Sequence, residues 1–396
     1  MKKKLIIALG AVVVVAVIVG VLVYNSTRVT AEYSNDYTKT FGEFTAKTAS
    51  TLLREKKENT CYSPASLFGN LTLSAEITEG DTQKEIINFL GVNDITSLEE
   101  YYTKLLGSIE VDNTNSKIML SNSLWTKREN VTDVAIDKFK ELEEKLNCSI
   151  FIEEEINESE VNQWISENTN GLIKDMSIGN NKNFVLVNNL YYYSKWRADV
   201  GKKKEEQEFF TEEEETLMVP YLSVYKKRLS YKEEKDYTYV IVPLKEGEMV
   251  FVLPAPERKL DYLLSEKKLN DIIASITGEN EEGLVKLEMP KFKIEQSISN
   301  NEVKSLLEKN NVDNLCTNAS WIDGIEGGVV SLMKKTRIKV DEEGVEAVAS
   351  TVLYGSIGIK DDPKAELEIT FNRPFLYILM KDGVPLFIGT VYNPAE

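Results

Sequence analysis

Two serine–lysine spacings, Ser265 to Lys268 and Ser331 to Lys334, and the adjacent carboxylates Glu342 and Glu343 are the groupings of the types that covalent or acid–base catalysis needs. A serine three residues before a lysine supplies a nucleophile and a base. In a chain rich in both residues the spacing arises by chance, and neither S-D-N nor K-T-G follows. Neighbouring carboxylates on a strand point to opposite faces, so Glu342 and Glu343 do not flank one glycosidic bond. There are 0 histidines in 396 residues. That removes Ser-His-Asp and Cys-His catalysis and histidine-dependent metal sites together. The expectation is a chain that is not an enzyme, with no catalytic residue, no metal site and no cofactor.

What remains is chemistry done to the chain. Val340 to Thr351 reads VDEEGVEAVAST and is followed, after Val352 and Leu353, by YGSIGIKDDP. Gly344 frees the backbone, and the small and β-branched residues after it suit a strand. With period two, Val345, Ala347, Ala349, Thr351 and Leu353 form one face; Glu346, Val348, Ser350, Val352 and Tyr354 form the other. Small side chains suit insertion between two existing strands, where bulky ones would clash. Gly355, Gly358, Asp361, Asp362 and Pro363 break regular structure, so Gly355 to Pro363 reads as exposed. The segment offers a hinge, a latent strand and a presented peptide.

The elements that must position it are ordinary core pieces. Phe184 to Leu190 and Tyr237 to Leu253 read as core strands. EEGVEAVAST resembles the hinge of serpins, the serine-protease-inhibitor superfamily, and the following loop resembles their reactive centre. FNRPFLYIL with GVPLFIGTVYNP resembles the family's C-terminal strands, and CYSPASLFGNLTLSAEITEGDTQKEI its shutter helix and the segment following. LVNNLYYYSKW resembles its central strand leading to a tryptophan. The resemblance, of bacterial type, covers almost the whole chain after the N-terminal segment. It implies an α+β fold: a large mixed central sheet with further sheets, a helical bundle and an exposed reactive-centre loop.

It also implies site residues. Glu342, Glu343, Gly344, Val345, Glu346, Ala347, Val348, Ala349, Ser350 and Thr351 match the hinge, with hinge and loop at about 342–365. Ser63, Ser66 and Asn188 match the shutter. Lys334 stands where many members have a histidine bonded to that asparagine; a lysine donates but cannot accept. Lys291 in EMPKF and Glu342 match a pair at the top of the central sheet, near Trp196. Ser194 replaces a usual glycine and reads as a local turn variation. Family spacing puts the scissile bond at Gly358-Ile359, with Ile357 and Lys360 as alternatives because the segment before FNRPF is longer than usual. The implied action is suicide inhibition of a serine protease, elastase- or subtilisin-like by the small aliphatic residues, trypsin-like if Lys360 is used. The alternative is a non-inhibitory serpin acting as a binding or chaperone module.

Met1-Lys-Lys-Lys4 precedes Leu5 to Val23, drawn only from Leu, Ile, Val, Ala and Gly. A helix of that length spans close to the ~30 Å hydrocarbon core, and the lysines favour a cytoplasmic N-terminus. The expected organisation is a signal anchor or signal peptide at 1–30 and one domain at 31–396, extracytoplasmic, membrane-anchored or secreted, and monomeric. The formal net charge of −17 disfavours nucleic acid and favours basic partners. Lys226, Lys227 and Arg228 form at most a small basic patch. Cys61, Cys148 and Cys316, an odd number without C-x-x-C spacing, read as small apolar residues, with one pairing left open.

Overall fold

The structure, a computed structural model, describes residues 35–345 and 364–396, apart from residues 55, 172, 174, 175, 179–182 and 326–329. The apolar segment Leu5 to Val23, the hinge residues Glu346 to Thr351, and Ile357, Gly358, Ile359 and Lys360 lie outside the described residues; Lys334 is described by its backbone alone. Among the described residues no helix is long and apolar enough to cross a membrane. The chain divides into two units, Met1–Lys39 and Thr40–Glu396.

Helix α1 (Asn35–Leu53) opens the described chain, followed by α2 (Pro64–Glu76), α3 (Gly80–Leu90) and α4 (Ile95–Ile109). Pro64 at the first turn of α2 has no N–H to leave unsatisfied, and the Ser63 side chain caps that turn by accepting from the Ser66 N–H at 3.1 Å. Strands β1 (Val111–Asp112) and β2 (Ser116–Lys127), helix α5 (Asp133–Leu146), strand β3 (Cys148–Glu153), helix α6 (Glu158–Asn168) and strand β4 (Phe184–Lys195) come next. The middle of the chain is strand-rich: β5 (Gly201–Lys202), β6 (Gln207–Phe210), β7 (Thr216–Val219), β8 (Tyr221–Glu233), β9 (Tyr237–Pro243) and β10 (Glu248–Pro254). Helix α7 (Glu266–Ile276), strands β11 (Glu281–Pro290) and β12 (Phe292–Ile298) and helix α8 (Asn300–Lys309) lead to β13 (Val330–Val340) and β14 (Gly344–Val345). Strands β15 (Leu367–Thr370), β16 (Phe375–Lys381) and β17 (Val384–Val391) finish the chain.

Seven strands form the central sheet in the order β1-β2-β4-β14-β13-β12, with β3 paired to β2. Eight form a second sheet, β15-β11-β8-β9-β10-β16-β17 with β5 on β8, and β6 and β7 pair only with each other. The fold is the α+β architecture expected. The apolar run Tyr237 to Leu253 is a hairpin of two strands, turned where the Leu244 N–H donates to the Gly247 carbonyl at 3.0 Å and Gly247 takes φ +94°. Only glycine is unstrained there.

Helix α6 covers one face of the central sheet. Its Val161 and Ile165 join Trp125, Val185 and Val187 in one buried cluster, with Trp164 and Phe151 packed against it. Helix α2 covers the other face so closely that a side chain at Gly69 would run into Asn188. No disulfide joins the three cysteines. Cys61 is buried, the other two half-buried, and burial pushes the Cys148 thiol up to about 12.

Candidate functional site

Among the described residues, the two middle strands of the large sheet do not pair along their whole length. Strands β4 and β13 run parallel and pair from Val330↔Phe184 to Met333↔Val187. At the other end β14 sits between them, antiparallel to both, with Gly344↔Lys195, Val345↔Ser194 and Val340↔Val345. Between these ends, among the described residues, no strand pairing joins Asn188–Tyr193 to Lys334–Lys339. The register is continuous across the opening: Val330 over Phe184 and Val340 over Ser194 keep the same offset, with Val345 between the last two. Among the described residues, β4 and β13 are therefore one strand apart where β14 sits and come together where they pair directly.

The start of β14 is held by contacts that the hinge sequence itself supplies. Trp196, 7% exposed, donates its backbone N–H to the Glu343 carbonyl at 3.1 Å and its indole Nε1–H to the Asp341 carbonyl at 2.7 Å. The Asp341 N–H donates to the Gly344 carbonyl at 3.1 Å, closing the turn from β13 into β14. Lys291 and Glu342 form a hydrogen-bonded ion pair beside this turn. Gly344 is required by close approach. A Cβ there would collide with the Ser194 carbonyl and the Lys195 backbone, so the freedom in φ read from the sequence is only part of its role. Ser194 is no turn variant. It lies buried inside β4, its hydroxyl bonded to the Ser116 hydroxyl at 2.8 Å and accepting from the Glu246 N–H at 3.0 Å.

Burial works against ionising Glu342, but the hydrogen bond from Lys291 and the neighbouring backbone and lysine charges outweigh it, so its carboxyl titrates below the ordinary carboxylate range. A carboxyl whose folded value is depressed contributes stability in full above its unfolded value and loses it as pH falls through the folded one. The turn should therefore hold unchanged through neutral and mildly acid pH and loosen only in stronger acid. Following the Trp196 environment by fluorescence against pH checks this. Glu342→Gln should remove the acid step, and a step of unchanged position in that variant would assign the transition to another group.

The lower end of the opening is a buried polar chain. Asn188, 3% exposed, donates its amide to Asn122, whose own amide reaches the Tyr102 hydroxyl. Ser63 and Ser66 are both buried, and the Ser63 hydroxyl caps the helix that packs here by accepting from the Ser66 N–H. The sequence points to Asn188 and the two serines but not to Asn122, Tyr102 and Gly69. The spacing of three in Ser63, Ser66 and Gly69, one broad helix face, is the available signal for the glycine. The backbone of Lys334 pairs with Ile298 at this level.

The first serine–lysine spacing is a helix cap: Ser265 accepts from the Lys268 N–H at 3.4 Å, and the Lys268 ammonium is held by Asp236 at 2.6 Å. Among the described residues no cluster of Cys, Asp and Glu fits a metal ion. Lys227 and Arg228 are tied to Asp199 and Glu282.

A protein-family model described as Serpin (serine protease inhibitor) matches residues 39–394. Among curated proteins the chain is similar to Serpin-Z1 of Arabidopsis thaliana, 27% identical over 86% of this chain and 90% of that one. It is also similar to a probable non-inhibitory serpin-Z5 of the same plant, 26% identical over 86% of this chain and 80% of that one. Among solved structures it resembles Serpin48 of the insect Tenebrio molitor, with a TM-score of 0.76 and 23% identity over 91% of this chain and 99% of that one. That likeness speaks for the fold. These relatives come from a plant and an insect, and the bacterial type expected from the sequence finds no support in them.

Proposed function

This chain belongs to the serpin family, and on that premise we propose that it inhibits a serine protease as a suicide substrate. The observation that carries the reading is that, among the described residues, β4 and β13 are unpaired between Met333↔Val187 and β14, and stand one strand apart at the β14 end. Were the β14 pairing continued, Ala347 would fall between Tyr192 and Ile338, Ala349 between Leu190 and Thr336, and Thr351 between Asn188 and Lys334. Residues paired across a sheet share a face. Tyr192, Asn188, Ile338 and Thr336 are all buried, so on insertion the small odd-numbered residues of the hinge would meet the buried side.

The steps follow from that geometry. The protease serine attacks a loop carbonyl, proposed as that of Gly358, and the amine of Ile359 leaves, giving an ester between loop and enzyme. The freed strand enters the opening from the β14 end and carries the tethered protease away before water can cleave the ester. Loop insertion of this kind, general to inhibitory serpins, is strand addition to a sheet driven by the release of stored strain. Ile357 and Lys360 are the alternative attachment points. An elastase- or subtilisin-like enzyme is the proposed target, a trypsin-like one if Lys360 is used. Leu5 to Val23 is proposed to tether or export a monomeric body beyond the membrane.

Incubation with a panel of serine proteases is the test. We expect a covalent adduct that survives denaturant with at least one of them. The relative described as non-inhibitory supports the second reading, a binding or chaperone module; simple loop cleavage by every protease, without adduct, would select it.

A further inference from the structure

We infer that the outer face of the β6–β7 hairpin is a docking surface for a basic patch on the target protease, beside the reactive loop and separate from it; this rests on the inhibitor reading. The hairpin forms a sheet of its own. Its inner face is anchored by Phe209 and Val219, 0% and 1% exposed. On its outer face Phe210 and Met218 are 42% and 56% exposed. The register Phe210↔Thr216 and Glu208↔Met218 makes them diagonal neighbours on one face, close enough to act as a single apolar contact. Isolated exposed apolar residues are ordinary; an adjacent pair on a face the fold does not need is less so.

Charge decides the occupant. Around this pair stand Glu205, Glu206, Glu208, Glu213, Glu214 and Glu215, all exposed, and among the described residues none has an ion-pair partner. Only Glu212 of the tip is neutralised, by Lys57 at 3.7 Å and Lys259 at 4.0 Å. An apolar pair ringed by uncompensated carboxylates fits a basic surface with an apolar centre and repels an acidic one. Position points to the protease. The Phe210 N–H donates to the Asn372 carbonyl at 2.8 Å, and Asn372 lies eight residues beyond Lys364, where the described chain resumes after the loop. Eight extended residues span at most about 28 Å. A protease domain of some 220 residues has a radius of gyration of about 17 Å, so one held at the Lys364 end of the loop is of a size to reach the hairpin.

The test compares the full-length protein with two variants, Phe210→Ser with Met218→Ser, and Glu213→Lys with Glu214→Lys and Glu215→Lys. Second-order rates of adduct formation are measured at low and high salt with a cationic and an anionic serine protease. Binding of the cationic protease with its active-site serine replaced by alanine is measured alongside. The charge variant should slow the cationic enzyme about 10-fold or more at low salt, flatten the salt dependence and leave the stoichiometry of inhibition unchanged. The apolar variant should weaken binding of the inactive protease at both salt concentrations. Unchanged rates and unchanged binding in both variants would overturn the docking surface while leaving inhibition standing. Absence of any adduct with wild type, with hairpin-dependent binding of the inactive protease retained, would instead overturn inhibition alone.

Discussion

Ala347→Arg should abolish inhibition while leaving cleavage intact. In the inserted register Ala347 lies between Tyr192 and Ile338, which are 3% and 2% exposed. A methyl group passes between them. A guanidinium does not: it would be buried with no counter-charge, at a cost of several kcal/mol, and at the second inward position, before most of the new strand has formed. The strand stalls, water cleaves the ester, and the protease leaves active. Adduct on a denaturing gel should fall to background, with cleaved inhibitor accumulating at the wild-type rate. Glu346→Ala is the control: its side chain belongs to the opposite face, beside the half-buried Tyr193 and Lys339, and inhibition should persist. If Ala347→Arg inhibited with unchanged stoichiometry, the register drawn from β14 would be wrong.

That register shows what the sequence can and cannot reveal. The alternation of small residues after Gly344 is a local pattern, visible without any partner, and the pairing of Lys291 with Glu342 follows once the two motifs that hold them are matched. The polar chain from Tyr102 through Asn122 to Asn188 joins α4, β2 and β4. No periodicity within one element marks a contact made across three. Ser194 misleads because its reason is equally remote: its hydroxyl satisfies the Glu246 N–H, which belongs to the β9–β10 turn. Gly344 stands out in the sequence for its freedom, whereas the neighbouring strand decides it by leaving no room for a Cβ. The hairpin β6–β7 shows in the sequence only as a charge run. Its exposed Phe210 and Met218 become neighbours once pairing fixes which face each takes.

Cutting the loop should raise the heat stability of the body sharply, and this is the most direct reading of whether the opening accepts the strand. Uncut, no strand pairing joins Asn188–Tyr193 to Lys334–Lys339 among the described residues. Once filled, both edges gain a full ladder, each bond contributing about 0.5–1.5 kcal/mol net. Leu353 adds the burial of one large apolar side chain, about 1.5–3 kcal/mol. For a body of this length one degree of melting midpoint corresponds to roughly 0.8 kcal/mol, so a rise of about 10 °C reports about 8 kcal/mol. A non-target protease that cuts anywhere from Gly355 to Lys360 serves to make the cleaved form, and mass spectrometry identifies the bond. Cleavage at Gly358-Ile359 releases a peptide that starts IKDDPK after denaturation. Cleavage before Thr351 should give no rise, because the strand would then be too short to fill the level of Asn188. Ala347→Arg, cleaved at the same bond, should lose most of the gain. A cleaved wild-type protein that melts no higher than the intact one would mean that the opening in the central sheet is not the place the strand goes, and the inhibitory mechanism would have to be given up with it.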